Sequence, residues 1–100
     1  MLSKNDILDK LRELKPILSE EYAVKEIGIF GSFANNEASD ESEIDLLVEL
    51  YRPIGWNYFT LQIYLESIFG RKVDLVTKNA LKEQIRDSIL AQVLRLGEKG

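Results

Sequence analysis

Three short runs rich in β-branched residues, AVKEIGIF at 23–30, EIDLLVEL at 43–50 and KVDLVT at 72–77, are separated by longer stretches whose apolar residues recur at helical spacing. Strand patterns that alternate with helix patterns build helices against a sheet, so the order α-β-(α)-β-α-β-α predicts an α/β fold with a small sheet flanked by helices. Three strands make a modest sheet, and its edges invite cover from a partner.

The helical stretches can be placed in turn. Ile7, Leu8, Leu11, Leu14 and Leu18 put an apolar face on a helix over about 5–21, with Ser3 or Asn5 as cap. Pro16 falls inside that pattern, where a proline either kinks one helix or begins a short second one, and so predicts a break near Lys15. The first strand, Val24 to Phe30, runs straight into Gly31-Ser32, and the polar NNEASDES that follows reads as loop or as the frayed end of a short helix beginning at Ser32. WNYFTLQIYLESIFG has the length of a helix and closes on Gly70. Asn79 or Thr77 would cap a last helix with Leu81, Ile85, Ile89, Val93 and Leu96 on one face.

Composition limits what such a chain can do. At 100 residues and 45% hydrophobic content, residues 1–100 suit one domain. The absence of cysteine and histidine removes disulfides, thiolate or imidazole metal sites, cysteine nucleophiles and Ser-His-Asp hydrolysis. Carboxylates must therefore carry most of any chemistry. A net charge of -4 disfavours direct nucleic-acid binding through a broad basic surface, although a local basic pocket remains compatible with it. Neither a signal-like apolar core at the start nor a run of roughly 18 apolar residues is present, which predicts a cytoplasmic protein without a membrane span.

The informative anomaly lies in the second strand. Side chains alternate across a strand, so Glu43, Asp45, Leu47 and Glu49 share one face while Ile44, Leu46, Val48 and Leu50 share the other. Two carboxylates facing one way repel unless a proton or a cation relieves them, and Mg²⁺ is the usual hard cation for such a pair. Asp74 repeats the anomaly between Val73 and Leu75. Three acids on two strands can hold two metal ions about 3.5–4 Å apart, the separation used in phosphoryl and nucleotidyl transfer. Gly31-Ser32 adds a turn where a phosphate can approach backbone N–H groups. Blander explanations compete: Glu43 as a solvated strand-end acid, and Asp74 in a salt bridge with Lys72, Arg71 or Lys25. Glu49 is expected to be a surface acid, and the aromatic residues Tyr51, Trp56, Tyr58, Phe59 and Tyr64 to serve the core or a partner contact.

Gly31-Ser32, ten residues, then Glu43-Ile44-Asp45, with Asp74 on a later strand, resembles the hallmark of the minimal nucleotidyltransferases of the DNA polymerase beta superfamily. The similarity extends through GIFGSFA, IDLLVE, GRKVDLVT and LKEQIRDSIL. The resemblance implies a polymerase-beta-like fold and an enzyme that moves AMP from ATP to a hydroxyl. Glu43, Asp45 and Asp74 would be its catalytic acids and Mg²⁺ ligands, two ions being expected, and Gly31 and Ser32 would bind the nucleotide. It also implies a HEPN-type toxin as partner, a tyrosine of that toxin as acceptor, and an antitoxin role. Two departures bear on activity: Glu43 stands where the family usually has Asp, and Asn35-Asn36 replaces a common Arg-Gly. They favour reduced turnover, or the alternative of a catalytically degenerate module that neutralises its partner by binding. No residue decides between a homodimer and a hetero-oligomer.

Overall fold

The computed structural model describes residues 2–78 and the backbone of residues 94 and 95. Its elements are α1 (Lys4–Tyr22), β1 (Val24–Phe30), α2 (Gly31–Ala34), β2 (Ile44–Leu50), α3 (Asn57–Phe69), β3 (Val73–Thr77) and β4 (Leu94–Arg95). The sheet is mixed and runs in the order β3-β2-β1-β4. β1 pairs antiparallel with β2 and with β4, whereas β2 and β3 are parallel and are joined by α3 as a crossover helix.

α1 starts where the sequence allows it to. The Ser3 side chain accepts from the Asp6 backbone N–H while the Asp6 carboxylate accepts from the Ser3 N–H, a reciprocal capping box. The break expected near Lys15 does not occur: the helix is continuous through Pro16. An interior proline costs about 3 kcal/mol, but Leu14 and Leu18 on either side of it are buried, and each contributes roughly 1.5–3 kcal/mol. Pro16 itself is exposed, so the carbonyl it leaves unbonded faces water.

The core lies between one sheet face and the two long helices. Ile7, Leu11 and Leu18 of α1, Ile44, Leu46 and Val48 of β2, and Leu61 and Leu65 of α3 are all at 0% exposure. β1 departs from strict alternation because its pairing with β2 shifts between Val24 and Glu26, and the extra residue lets Val24 and Ile27, three apart, both enter the core. α3 ends at Gly70, whose φ of +63° closes the helix through an N–H bond to the Glu66 carbonyl.

The open sides of β1 and β3 are both met from within the chain. β4 pairs with Gly28 and Ile29 of β1, a strand that the sequence did not suggest. The helix predicted up to Leu96 therefore does not run through Leu94 and Arg95; its other positions, 79–93 and 96, lie outside the described residues. At the β3 edge, Tyr58 donates its hydroxyl to the Leu75 carbonyl, Gln62 Nε2 donates to the Val73 carbonyl at 3.0 Å, and Glu66 Oε2 accepts from the Val73 N–H at 3.0 Å. Residues four apart on α3 thus satisfy backbone groups that an edge strand would otherwise expose.

Candidate active site

Parallel pairing of β2 and β3 sets Asp45 beside Asp74. Both project to the face opposite α1 and α3, since their strand neighbours Ile44, Leu46, Val73 and Leu75 are the residues that enter the core. Glu43 lies one residue before β2, and one carboxylate oxygen from each of Glu43, Asp45 and Asp74 falls within 4.8 Å of the others. Glu43 and Asp74 are exposed, while Asp45 is half-buried. Burial pushes the Asp45 carboxyl above its ordinary value of 3.8, and the charges of Asp74 and Glu43 push it the same way.

The other end of the sequence motif meets this acid directly. β1 ends at Phe30, which pairs with Asp45, and the chain then turns at Gly31 with φ +73° into the single turn of α2. A Cβ on Gly31 would collide with Asp45 Oδ2 and stand 3.0 Å from the carbon of that carboxylate. Glycine is required here for the backbone conformation and for the space the carboxylate occupies. The short helix begins at Gly31 rather than at Ser32, and Ser32 is half-buried within it.

Ion pairing differs from the sequence alternatives. Lys72 reaches Glu43 at 3.5 Å and not Asp74, with both partners solvent-accessible. Arg71 donates to the carbonyls of Ser39 and Ser42. Among the described residues, Asp45 and Asp74 have no cationic partner. Three hard oxygen donors in one cluster, two of them uncompensated, form a set that fits a divalent cation such as Mg²⁺.

Other expectations resolve around the site. Glu49 is half-buried near the end of β2. The aromatic residues are only partly core: Trp56, Tyr51 and Phe59 are exposed, whereas Tyr58 and Tyr64 are half-buried, and Tyr64 stacks on Tyr22 at 5.8 Å. Burial and the nearby Asp74 charge push the Tyr58 phenol up, which keeps it a donor to Leu75. Sequence reasoning missed Tyr58, Gln62 and Glu66 as the groups that seat β3, although their spacing of four on a predicted helix was the available signal. No helix among the described residues is long and apolar enough to cross a membrane.

A mixed sheet with a Gly-Ser turn ending β1 and acids brought together by the parallel pair β2 and β3 is the architecture of a polymerase-beta-like nucleotidyltransferase. The chain belongs to the nucleotidyltransferase domain family, whose profile matches residues 11–95. It is 49% identical over 83 residues to a Methanocaldococcus jannaschii chain named as a protein adenylyltransferase, covering 82% of this chain and 85% of that one. It is 38% identical over 95 residues to protein adenylyltransferase MntA of Thermococcus cleftensis, covering 94% and 96%. Among solved structures, one named as a minimal nucleotidyltransferase superposes with a TM-score of 0.73 at 28% identity, covering 87% of this chain and 93% of that one. The MNT antitoxin complex with a tri-AMPylated Shewanella oneidensis HEPN toxin matches at TM-score 0.59 and 22% identity, covering 96% and 70%, and so speaks for the fold.

Proposed function

We propose that this protein is a cytoplasmic, Mg²⁺-dependent adenylyltransferase that acts through one domain spanning residues 1–100, moving AMP from ATP to a hydroxyl of a partner protein. The observation that carries the reading is the meeting of Glu43, Asp45 and Asp74 oxygens within 4.8 Å beside the Gly31 turn. The adenylyltransferase names of its relatives supply the nucleotide and the reaction. A tyrosine of a HEPN-type toxin is the acceptor we favour, with this chain as antitoxin, because a solved neighbour holds an AMPylated toxin of that type.

In the reaction, the acceptor oxygen forms a bond to the α-phosphorus, and the bond to the bridging oxygen breaks with its electron pair leaving on pyrophosphate. Glu43, Asp45 and Asp74 would hold Mg²⁺, expected as two ions, which would neutralise charge on the phosphates and the leaving group. Asp74 is exposed, so an incoming hydroxyl can reach it, and its carboxylate takes the proton. Asp45 is held half-buried against Gly31 and fixes the centre of the cluster. The Gly31-Ser32 turn receives the triphosphate, with the Ser32 hydroxyl as an additional donor. Lys72, beside Glu43, is placed to offset charge when phosphate enters.

A second reading is favoured by one feature. Glu43 carries an extra methylene and already pairs with Lys72, as expected of a degenerate module that neutralises its partner by binding alone. Calorimetric titration of ATP with Mg²⁺ and again with EDTA, on the wild type and Asp45→Asn, separates the two. Metal-dependent binding that the variant loses is the expected result. Absence of binding at millimolar ATP, with and without the cognate toxin, would replace the enzyme by the binding module.

A further inference from the structure

Arg71 stands between α3 and β3, and its guanidinium reaches back across the molecule. Nη1 donates to the Ser39 carbonyl at 3.0 Å and to the Ser42 carbonyl at 2.9 Å, residues 32 and 29 positions earlier. The same group lies 5.1 Å from the ring centroid of Phe33, which is 2% exposed. Each contact touches a different part of the site. Phe33 follows Gly31-Ser32 in α2, Ser42 immediately precedes Glu43, and Asp74 follows Arg71 by three residues.

The segment between α2 and β2 is folded around these bonds. Glu37 N–H bonds the Ser32 carbonyl at 2.8 Å, Ser39 N–H bonds Ser42 Oγ at 2.8 Å, and Ser42 N–H bonds the Ser39 carbonyl at 3.1 Å. At its far end, the Ile44 N–H bonds the Lys72 carbonyl at 3.0 Å. Among the described residues, no other side chain links residues 35–42 to the start of β3. Hydrogen bonds from a charged donor are worth about 1.5–3 kcal/mol. A planar guanidinium can lie against a ring while its N–H groups serve the carbonyls, and being pre-organised and weakly hydrated it holds that geometry better than the compact, strongly hydrated charge of an ammonium.

We propose that Arg71 is a positioning residue: by clamping the 39–42 turn against Phe33 and β3, it fixes Glu43 where it meets the same cation as Asp45 and Asp74. Glutamate depends on such an anchor more than aspartate does, because its longer side chain has more rotamers to lose. The inference rests on the metal-holding reading of the triad, and its test reads the metal apart from turnover.

Mn²⁺ binding, followed by the loss of the free-ion electron paramagnetic resonance signal, is measured for wild type, Arg71→Lys and Arg71→Ala, together with amide hydrogen exchange over residues 37–44 and over α1. Arg71→Ala is expected to weaken Mn²⁺ binding about 10-fold, the lower end of what losing a direct outer partner of a ligand costs, because Arg71 acts on Glu43 through the backbone of Ser42. Exchange over 37–44 should accelerate while α1 stays protected, and Arg71→Lys should recover less than half of the lost affinity. Mn²⁺ affinity within about twofold of wild type in Arg71→Ala would overturn the proposal. So would α1 losing protection in step with the loop, which would make Arg71 a general stabiliser. Failure of the wild type itself to bind Mn²⁺ would instead remove the metal reading, and the role of Arg71 with it, before any variant is compared.

Discussion

The two faces of β2 obey opposite rules. On one face Ile44, Leu46 and Val48 are closed off completely beneath α1 and α3, and every contact there favours the folded state. On the other face, at the same end of the strand, Asp45 is half-buried beside two further carboxylates, and burial and like charge both oppose its ionised form. The first face stabilises the fold on its own account. The second is held in place by elements that lie elsewhere: the Gly31 turn, the Arg71 clamp, and the α3 side chains that seat β3. A substitution on the first face should therefore be read in stability, and one on the second in binding and transfer.

The largest effect should come from breaking the apolar face. Leu46→Ala is expected to cost about 2–5 kcal/mol in urea unfolding, as buried Leu→Ala changes do, with transfer per folded molecule unchanged. A loss below about 1 kcal/mol would show that this face tolerates a cavity and that the contrast is weaker than drawn. Gly31→Ala attacks the other face. The new methyl drives the Asp45 carboxylate from its place, and a left-handed backbone costs an L-residue roughly 1–2 kcal/mol. Transfer should fall on the order of 100-fold, the scale of an ångström-sized misplacement. Unfolding that shifts by several kcal/mol with transfer intact would refute the close approach as a site feature. Glu43→Asp sharpens the comparison further, since it removes one methylene while keeping the negative charge that faces Lys72, an exposed pair worth about 0–1 kcal/mol. Turnover against Mg²⁺ concentration should rise about threefold to tenfold if Glu43 is a detuned ligand. An unchanged curve would make Glu43 either fully competent or uninvolved.

These two faces were not equally legible in the sequence. Period-two alternation in EIDLLVEL separated Ile44, Leu46 and Val48 from Glu43 and Asp45, because the pleat alone decides which side each residue takes. The stop at Gly70 was likewise local and readable, whereas the sequence left the cap between Ser3 and Asn5 and the structure places it at Ser3. Contacts that depend on register were harder. Asp45 beside Asp74 requires β2 and β3 to pair in parallel, and a sequence pattern gives the strands but not their offset. The Arg71 clamp spans about thirty residues, so no local spacing announces it. Pro16 misled because propensity counted its cost without the buried leucines on both sides. The strand at Leu94–Arg95 is two residues long, too short for any periodic signal, and exists because the β1 edge is there to pair with.

The smallest effect is a pH dependence, and its sign follows from the charge cluster. Asp45 has its folded pKa raised above the ordinary 3.8, first by burial and then by Asp74 and Glu43. A raised carboxyl binds its proton more tightly in the folded state, so this contribution to stability is complete below about pH 3.8 and is lost as pH rises through the folded value. Asp6 runs the other way: hydrogen bonds from the Ser3 backbone and side chain lower its pKa, and its contribution disappears as pH falls. The total profile mixes the two, so the measurement is the difference in thermal midpoint between wild type and Asp45→Asn, followed across the acidic range with EDTA present. The amide that Asp45→Asn introduces carries no charge to repel, and the variant should gain on the wild type as pH rises from about 4 toward neutrality. Adding Mg²⁺ should reverse the ranking, because a cation that binds only the folded wild type stabilises it by mass action. A wild type that stays the more stable of the two at neutral pH in EDTA would mean that the repulsion is relieved by something other than a metal.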